Sequence, residues 1–379
     1  MFRKVLITGG AGFIGSNLAN KLAGKGYSVT ILDNLNPQVH GGDPANTSSL
    51  FRSLSQDISF IHGDVTDRGT LTKAIEGQNI IVHLAAETGT GQSMYEIERY
   101  SKVNIGGTAL LLDILTNNKN SVEKIIVASS RAIYGEGKYL SEEFGEVYPE
   151  HRKEEHLSKG DFEIRYPGCI MPLKVLPTDE DSKIHPSSIY GITKQTQEQL
   201  VMTVSKAIGI AGIAFRYQNV YGPGQSLLNP YTGILSIFSN RIIQKKEINI
   251  FEDGKESRDF VYIDDVVDAT ILGIENNQVN NEIFNIGSGL AISVNDVVRK
   301  LISNYNIDVK VNISGNYRLG DIRHNFADIK KANELIGFRP NFDFEKGVFY
   351  FSEWVKNQPT LPDYYDNSLI EMKKKGLLK

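Results

Sequence analysis

Between residues 4 and 130, short apolar runs alternate with longer stretches of helical period. The runs are KVLIT, SVTIL, ISFIHG, IIVHLA and KIIVAS, each five or six residues long and rich in β-branched side chains. Uniformly apolar runs of this length read as strands buried on both faces. Between them, TLTKAIEG and GGTALLLDILTNN repeat apolar residues every three or four positions, as helices packed on a sheet do. Strands alternating with helices imply βαβ units, a parallel sheet and right-handed crossovers. The expected class is α/β, a doubly wound parallel sheet whose ligands sit beyond the carboxyl ends of the strands.

Near Gly137 the texture changes. Residues 138–182 are charged, weakly periodic and dotted with Gly and Pro; they read as a surface insertion, ordered in part by Tyr139, Phe144, Tyr148, Phe162 and Tyr166. Regularity returns in HPSSIYGITKQTQEQLVMTVSKAIG, a helix of about twenty residues by its period. A strand (GIAFRY), a long loop (QNVYGPGQSLLNPYTG), a helix (ILSIFSNRIIQKK) and a mixed segment to about Trp354 follow. The expected organisation is a dinucleotide-binding domain over 1–217, a smaller C-terminal α/β substrate-binding domain over 218–356, and a peripheral tail over 357–379.

Composition narrows the classes. The 41 basic and 45 acidic residues leave a formal charge of −4, so no field is aimed at nucleic acid or an anionic membrane. The basic cluster Lys373-Lys374-Lys375 reads as a solvated tail. One cysteine, Cys169, excludes an internal disulfide framework and a multi-cysteine metal site; it fits a reducing compartment. The amino-terminal apolar stretch is broken by Thr8-Gly9-Gly10, unlike a signal peptide, and no run approaches the roughly 18 apolar residues of a membrane span. The expected location is the cytoplasm.

TGGAGFIGS, between the first strand and the first helix, has the spacing G-G-x-G-x-x-G. Gly9 permits the tight turn, Gly12 lets a pyrophosphate approach the backbone, and Gly15 lets helix and strand pack closely. Free N–H groups at the helix start would hold the phosphates. This is the Rossmann pattern. Asp33 ends the second strand, where a carboxylate accepts hydrogen bonds from ribose hydroxyls and repels a 2′-phosphate; Asn34, not arginine, follows, so NAD is favoured over NADP. Asp64 and Val65, after the third strand, are placed to flank the adenine. In SSIYGITKQ, Tyr190 and Lys194 are four residues apart and share one helix face. An ammonium and a nicotinamide cation nearby would favour the phenolate, letting Tyr190 take a proton from a sugar hydroxyl as hydride leaves the same carbon. Ser129 and Ser130 end the fifth strand on the ligand side, where a hydroxyl could bond the reacting oxygen and the phenol.

TGGAGFIGS, Asp33, GDVTD, HLAAE, the serine strand, Y-x-x-x-K, RDFVYIDDV and RLGDIRH together resemble the extended short-chain dehydrogenase/reductase family, within it the NAD-dependent nucleotide-sugar epimerases and dehydratases. The resemblance runs from residue 1 to about 350 and is weakest in the insertion. It implies a catalytic Ser130 with Tyr190 and Lys194, and cofactor contacts along Phe13, Ile14, Leu84, Ala85 and Ala86. It also implies substrate contacts by Asn219, Arg258, Arg318 and Asp321, with Glu87, Thr88 and Arg131 near the sugar. Sugar 4,6-dehydratases carry Thr-Asp-Glu where this chain has Ser130-Arg131-Ala132, so their removal of water is not expected. ETGTGQSMYEI, SSRAIYGEG, LNPYTGILSIF and RLGDIRHNFAD resemble more narrowly a group of dTDP-deoxysugar 4-epimerases, which carry an insertion after YGEG, often with cysteine pairs; Cys169 here stands alone. The resemblance thus implies C4 inversion of a dTDP-linked (deoxy)hexose through a transient 4-keto sugar. NAD would be retained and a homodimer formed through paired helices, the Tyr190 helix among them. The alternatives are C2 epimerisation, net reduction of a keto-sugar, and non-catalytic dinucleotide binding.

Overall fold

The computed structural model describes residues 3–227, 229, 233–359 and 362–379. Part of the loop QNVYGPGQSLLNPYTG, Leu228 and residues 230–232, lies outside them. Among the described residues the central sheet has seven strands: β1 (Lys4–Thr8), β2 (Ser28–Asp33), β3 (Ser59–His62), β4 (Ile80–His83), β5 (Lys124–Ser130), β6 (Ala211–Tyr217) and β7 (Glu282–Ile286). Their spatial order is β3-β2-β1-β4-β5-β6-β7 and every pairing is parallel. The chain runs outward one way from β1 to β3 and then restarts on the other side at β4. A crevice therefore opens beyond the carboxyl ends of β1 and β4. The five apolar runs are the first five strands, as the class predicted. The last strand is drawn from chain beyond residue 217.

Alternation along β1 explains why its run is uniformly apolar. Val5 and Ile7 join one layer with Leu18, Leu22 and Phe215, while Leu6 joins the other with Leu111, Leu115 and Val201. Helix α1 (Phe13–Gly24) lies in the first layer; α2 (Gly107–Asn117) and α3 (Ile189–Ile208) lie in the second. Ser188 caps α3 by accepting the Gly191 N–H at 3.1 Å, and Gly209, in a left-handed conformation at φ 75°, ends it. These are the start and stop residues a helix uses. Helix α4 (Ile263–Glu275) packs beside α1, with Lys21 and Asp268 paired at 2.5 Å.

Two segments differ from expectation. The insertion is no mere surface loop. Tyr139–Ser141 and Gly145–Val147 form an antiparallel hairpin extended by Lys174–Val175. Tyr139 and Phe162 are buried, whereas Phe144 is 56% exposed and packs on the Tyr166 ring. Cys169 meets Ser141 Oγ at 3.1 Å, tying the hairpin to the loop that follows. Buried Arg152 forks onto both Glu252 oxygens at 2.7 and 2.8 Å, and buried Arg323 joins Glu252, Asp253 and Glu163. The charges that made the insertion look solvated are the ones that anchor it.

The tail is packed rather than peripheral. Helix α5 (Tyr365–Lys374) buries Tyr365, Ser368 and Met372 on one face. The last residues then pair with the chain around Arg318: Tyr317 N–H donates to Lys379 O (2.9 Å) and Leu319 N–H to Leu377 O (3.0 Å), with Leu378 buried. The i, i+3, i+7 face was masked by the neighbouring lysines. No helix among the described residues is long and apolar enough to cross a membrane.

Candidate active site

The crevice between β1 and β4 begins at the glycine turn. Gly9 has φ +68°, and a Cβ there would lie 2.7 Å from Ala85 N; a Cβ on Gly15 would lie 2.4 Å from Gly9 O. Backbone after β4 forbids a side chain at Gly9, and the turn's own backbone forbids one at Gly15. Gly12 is different, since a Cβ would meet only Gly9 O, at 3.3 Å. Its bareness leaves open surface at the start of α1. No side chain caps that helix, so its first N–H groups, Phe13 and Ile14 among them, lack an intrahelical partner. That is an anion cradle.

From there a cleft runs past Asp33, Asn34, Asp64, Val65 and Leu84–Ala86. Asp33 Oδ2 accepts the Ala11 N–H at 3.0 Å and Oδ1 the Leu35 N–H at 2.8 Å, so the carboxylate is pinned at the rim. Burial alone would raise the Asp64 carboxyl; hydrogen bonds from Thr66 and Asn34 override it and hold the pKa below the ordinary value. A bare glycine at a helix start, with a fixed carboxylate after β2, fits a dinucleotide. Asn36, Val39, His40 and Gly63 also line this cleft and escaped the sequence reading. Their signal was Asn36-Pro37, a cap followed by proline, which starts the short helix Pro37–His40. That helix turns His40 Nε2 back to 3.8 Å from Asp33 Oδ1.

At the end of β5 the two serines point to opposite faces. Ser130 Oγ accepts the Ala132 N–H at 3.1 Å, which leaves its own proton for the Tyr190 phenol, its other hydrogen-bond partner. Tyr190 stands in the first turn of α3, its N–H donating to Ser93 Oγ at 3.0 Å. A Cβ on Gly191 would lie 2.6 Å from Ala132 O, so the helix start rests directly on the Arg131–Tyr134 turn. Burial raises the phenol pKa; the Ser130 bond and the Arg131 charge pull against it.

Lys194 is buried one turn along α3, and its Nζ donates to Gln197 Oε1 at 2.8 Å. Burial pushes its pKa down to about 7, with Glu198 opposing. Glu198 itself is forked onto Arg216 at 2.7 and 3.0 Å. Behind Lys194 a buried chain of hydrogen bonds continues from Gln197 to Thr108 (2.8 Å), His83 (2.9 Å) and Thr8 (2.7 Å). One donor of the Lys194 ammonium is thus spent on Gln197, and the Arg131 charge also acts on the phenol.

On the far side of Tyr190, four arginines gather around one aspartate. Arg258 Nη2 and Arg318 Nη2 meet the two oxygens of Asp321 at 2.9 and 2.7 Å. Burial would raise Asp321, but Arg318, Arg258, Arg152 and Arg131 hold it far below the usual carboxylate range. Asn219 sits on the short strand Asn219–Tyr221, paired with Phe260–Tyr262, and its Oδ1 accepts Arg131 Nε at 3.1 Å. The structure therefore brings Ser130, Arg131, Tyr190, Asn219, Arg258, Arg318 and Asp321 together. Glu87 stands apart, bonded to Arg99 at 2.7 Å and Asn36 at 3.2 Å. Thr88 O accepts the Tyr100 hydroxyl at 2.5 Å.

One cleft is thus suited to a dinucleotide, and one cluster suited to an anionic second ligand lies beside the Tyr190 phenol, which Arg131 faces. The chain belongs to the NAD dependent epimerase/dehydratase family, which it matches over residues 5–155 and 168–287; NAD is its cofactor and isomerisation its class of reaction. It is 37% identical, over 94% of its length and 96% of the relative's, to dTDP-L-rhamnose 4-epimerase of Burkholderia thailandensis. It is 30% identical, over 93% of its length and 98% of the relative's, to a putative UDP-glucose 4-epimerase of Methanocaldococcus jannaschii. Among solved structures it is similar to UDP-glucose 4-epimerase of Thermotoga maritima with UDP-glucose, at TM-score 0.75 and 31% identity over 93% and 98% of the two chains. UDP-glucuronic acid 4-epimerase of Bacillus cereus, bound to UDP-glucuronic acid and NAD, matches at TM-score 0.75 and 26% identity over 93% and 99%.

Proposed function

We propose that the protein inverts C4 of a dTDP-linked 6-deoxyhexose, with dTDP-L-rhamnose as the first candidate. The observation that carries this reading is the hydrogen-bonded Ser130–Tyr190 pair beside the arginine cluster, with Arg131-Ala132 after Ser130 where a sugar dehydratase carries its two acids. The likeness to the Burkholderia enzyme supplies the sugar and base. Phe13 and Ile14 N–H groups, Asp33 and the Leu84–Ala86 edge would hold the cofactor. Bound NAD supplies a hydride acceptor that also returns the hydride, so no net redox change results.

Tyr190 takes the C4 hydroxyl proton and later gives it back to the inverted oxygen. Ser130 keeps the phenol in line and, once the sugar is bound, turns its one proton to that oxygen. Arg258, Arg318 and Asn219 hold the diphosphate while the sugar turns over. Asp321 keeps the two arginines side by side. Lys194, buried beneath the cofactor side of α3, adds a positive charge when protonated. The protein would act as a homodimer built on α3, whose Ile192 is 45% exposed; the single cysteine supports a cytoplasmic location.

The test is incubation of purified protein, without added reductant, with dTDP-, UDP-, GDP- and CDP-hexoses, reading proton coupling constants at C2 and C4. A C4-inverted dTDP-deoxyhexose that Tyr190→Phe no longer forms is the expected result. Inversion at C2, or consumption of NADH by a keto-sugar, would replace this reading.

A further inference from the structure

Arg131 follows Ser130 directly and lines a recess with Thr90, Ala132, Ser188, Gly320 and Asp321. Its Nε is committed to Asn219 Oδ1 at 3.1 Å. Among the described residues neither terminal nitrogen has a hydrogen-bond partner, although the residue is partly buried. The other arginines are differently placed. Arg258 spends its terminal nitrogens on Ser257 O, Arg323 O, Ile322 O and Asp321. Arg318 gives Nη2 to Asp321 and lies over the Phe251 ring, 5.3 Å from its centre. The guanidinium beside the reacting phenol thus keeps both terminal nitrogens free.

We propose that Arg131 binds the sugar-side phosphate of the nucleotide diphosphate, as a pair with Asn219. The inference rests on the nucleotide-sugar reading above. A guanidinium presents parallel N–H groups that meet two phosphate oxygens at once. The Nε bond also fixes the Asn219 amide: with Oδ1 taken by Arg131, Nδ2 is the end left to donate to the ligand. The two side chains then form one donor surface between Arg258 and Tyr190. Its place beside Ser130 assigns it the phosphate attached to the sugar, not the distal one. Burial among other cations lowers the Arg131 pKa to about 10, with Arg258 opposing its charge and Asp321 supporting it; the negative charge of the diphosphate would relieve that crowding.

The test compares binding of dTDP and dTMP, and of UDP and UMP, to the NAD-loaded protein by calorimetry, for the wild type, Arg131→Met and Arg131→Lys. Arg131→Met should weaken the diphosphate at least about tenfold, the loss of a charge-assisted pair, and change the monophosphate less than about twofold. Arg131→Lys should recover only part of the loss, because a point charge lacks the fork, and it serves where the methionine variant does not fold. Equal diphosphate affinity in variant and wild type would overturn the inference while the epimerase reading stood. Parallel loss of both nucleotides would overturn it too, by placing Arg131 at the nucleoside. A wild type that does not prefer diphosphate to monophosphate would overturn both.

Discussion

Lys194 Nζ donates to Gln197 Oε1 at 2.8 Å, one turn along its own helix, while the far end of the same amide donates to Thr108. The amide is neutral, so it satisfies the ammonium without compensating its charge, and burial leaves the pKa at about 7. A carboxylate at 197 would favour the ammonium. Gln197→Glu should therefore carry the alkaline loss of turnover, set by deprotonation of Lys194, to higher pH by one unit or more. The pH profile of turnover at saturating substrate measures it; an unmoved alkaline limb would remove Lys194 from the protonic equipment of the site.

Gly12 and Gly15 should fail in different ways. Alanine at 15 drives its Cβ to 2.4 Å from Gly9 O and 2.6 Å from Gly10 Cα, so the turn must shift, at a cost of about 1–3 kcal/mol. Alanine at 12 meets one carbonyl at 3.3 Å and should cost less than about 1 kcal/mol. It nonetheless occupies the surface offered to the pyrophosphate. Melting temperature should fall mainly for Gly15→Ala, and NAD content after purification mainly for Gly12→Ala.

The tail is expected to tune substrate affinity. Leu378, 4% exposed, closes an antiparallel bridge with the Arg318 segment. Leu378→Asp buries a charge and should release that bridge, freeing Arg318 to move. KM for the nucleotide sugar should rise about tenfold, the loss of about 1.4 kcal/mol of ground-state binding, with kcat nearly unchanged. Steady-state kinetics on this variant separate an anchoring tail from an inert one.

His83 supplies an acid-stability prediction. Burial first, and the Lys194 charge second, push its pKa from 6.5 down to about 3. The unfolded chain thus binds a proton that the folded chain refuses. Stability from this group is complete above pH 6.5 and is lost as pH falls toward 3. The urea midpoint should decline across that window for the wild type. It should decline less for His83→Gln, which keeps polar contacts to Thr8 and Thr108 without a titrating ring.

The elements most legible in the chain are those fixed by local chemistry. Five β-branched runs became the first five strands, because a strand covered on both faces admits little else. Tyr190 and Lys194 fell on one helix because the 3.6-residue period leaves no choice. What stayed hidden depends on contacts between distant segments. Arg152 looked like a solvated charge of the insertion until Glu252 arrived from a distant part of the chain. That Lys194 also donates to Gln197, three residues further on, could not be read from the spacing. No spacing rule distinguishes an arginine whose fork is spent, such as Arg258, from one whose fork is free, such as Arg131.

Asp33 carries a last consequence. Its two oxygens do more than wait for a ribose: they fasten the amides of Ala11 and Leu35, and so brace the glycine turn from below. Preference among dinucleotides and the shape of the phosphate loop are thereby written into one side chain. Replacing it to admit a 2′-phosphate would unfasten the loop that must grip the pyrophosphate. A lineage starting from this chain could change its sugar by altering the lobe around Asn219 and Arg318, but it could not change its redox currency without first rebuilding the floor of the turn.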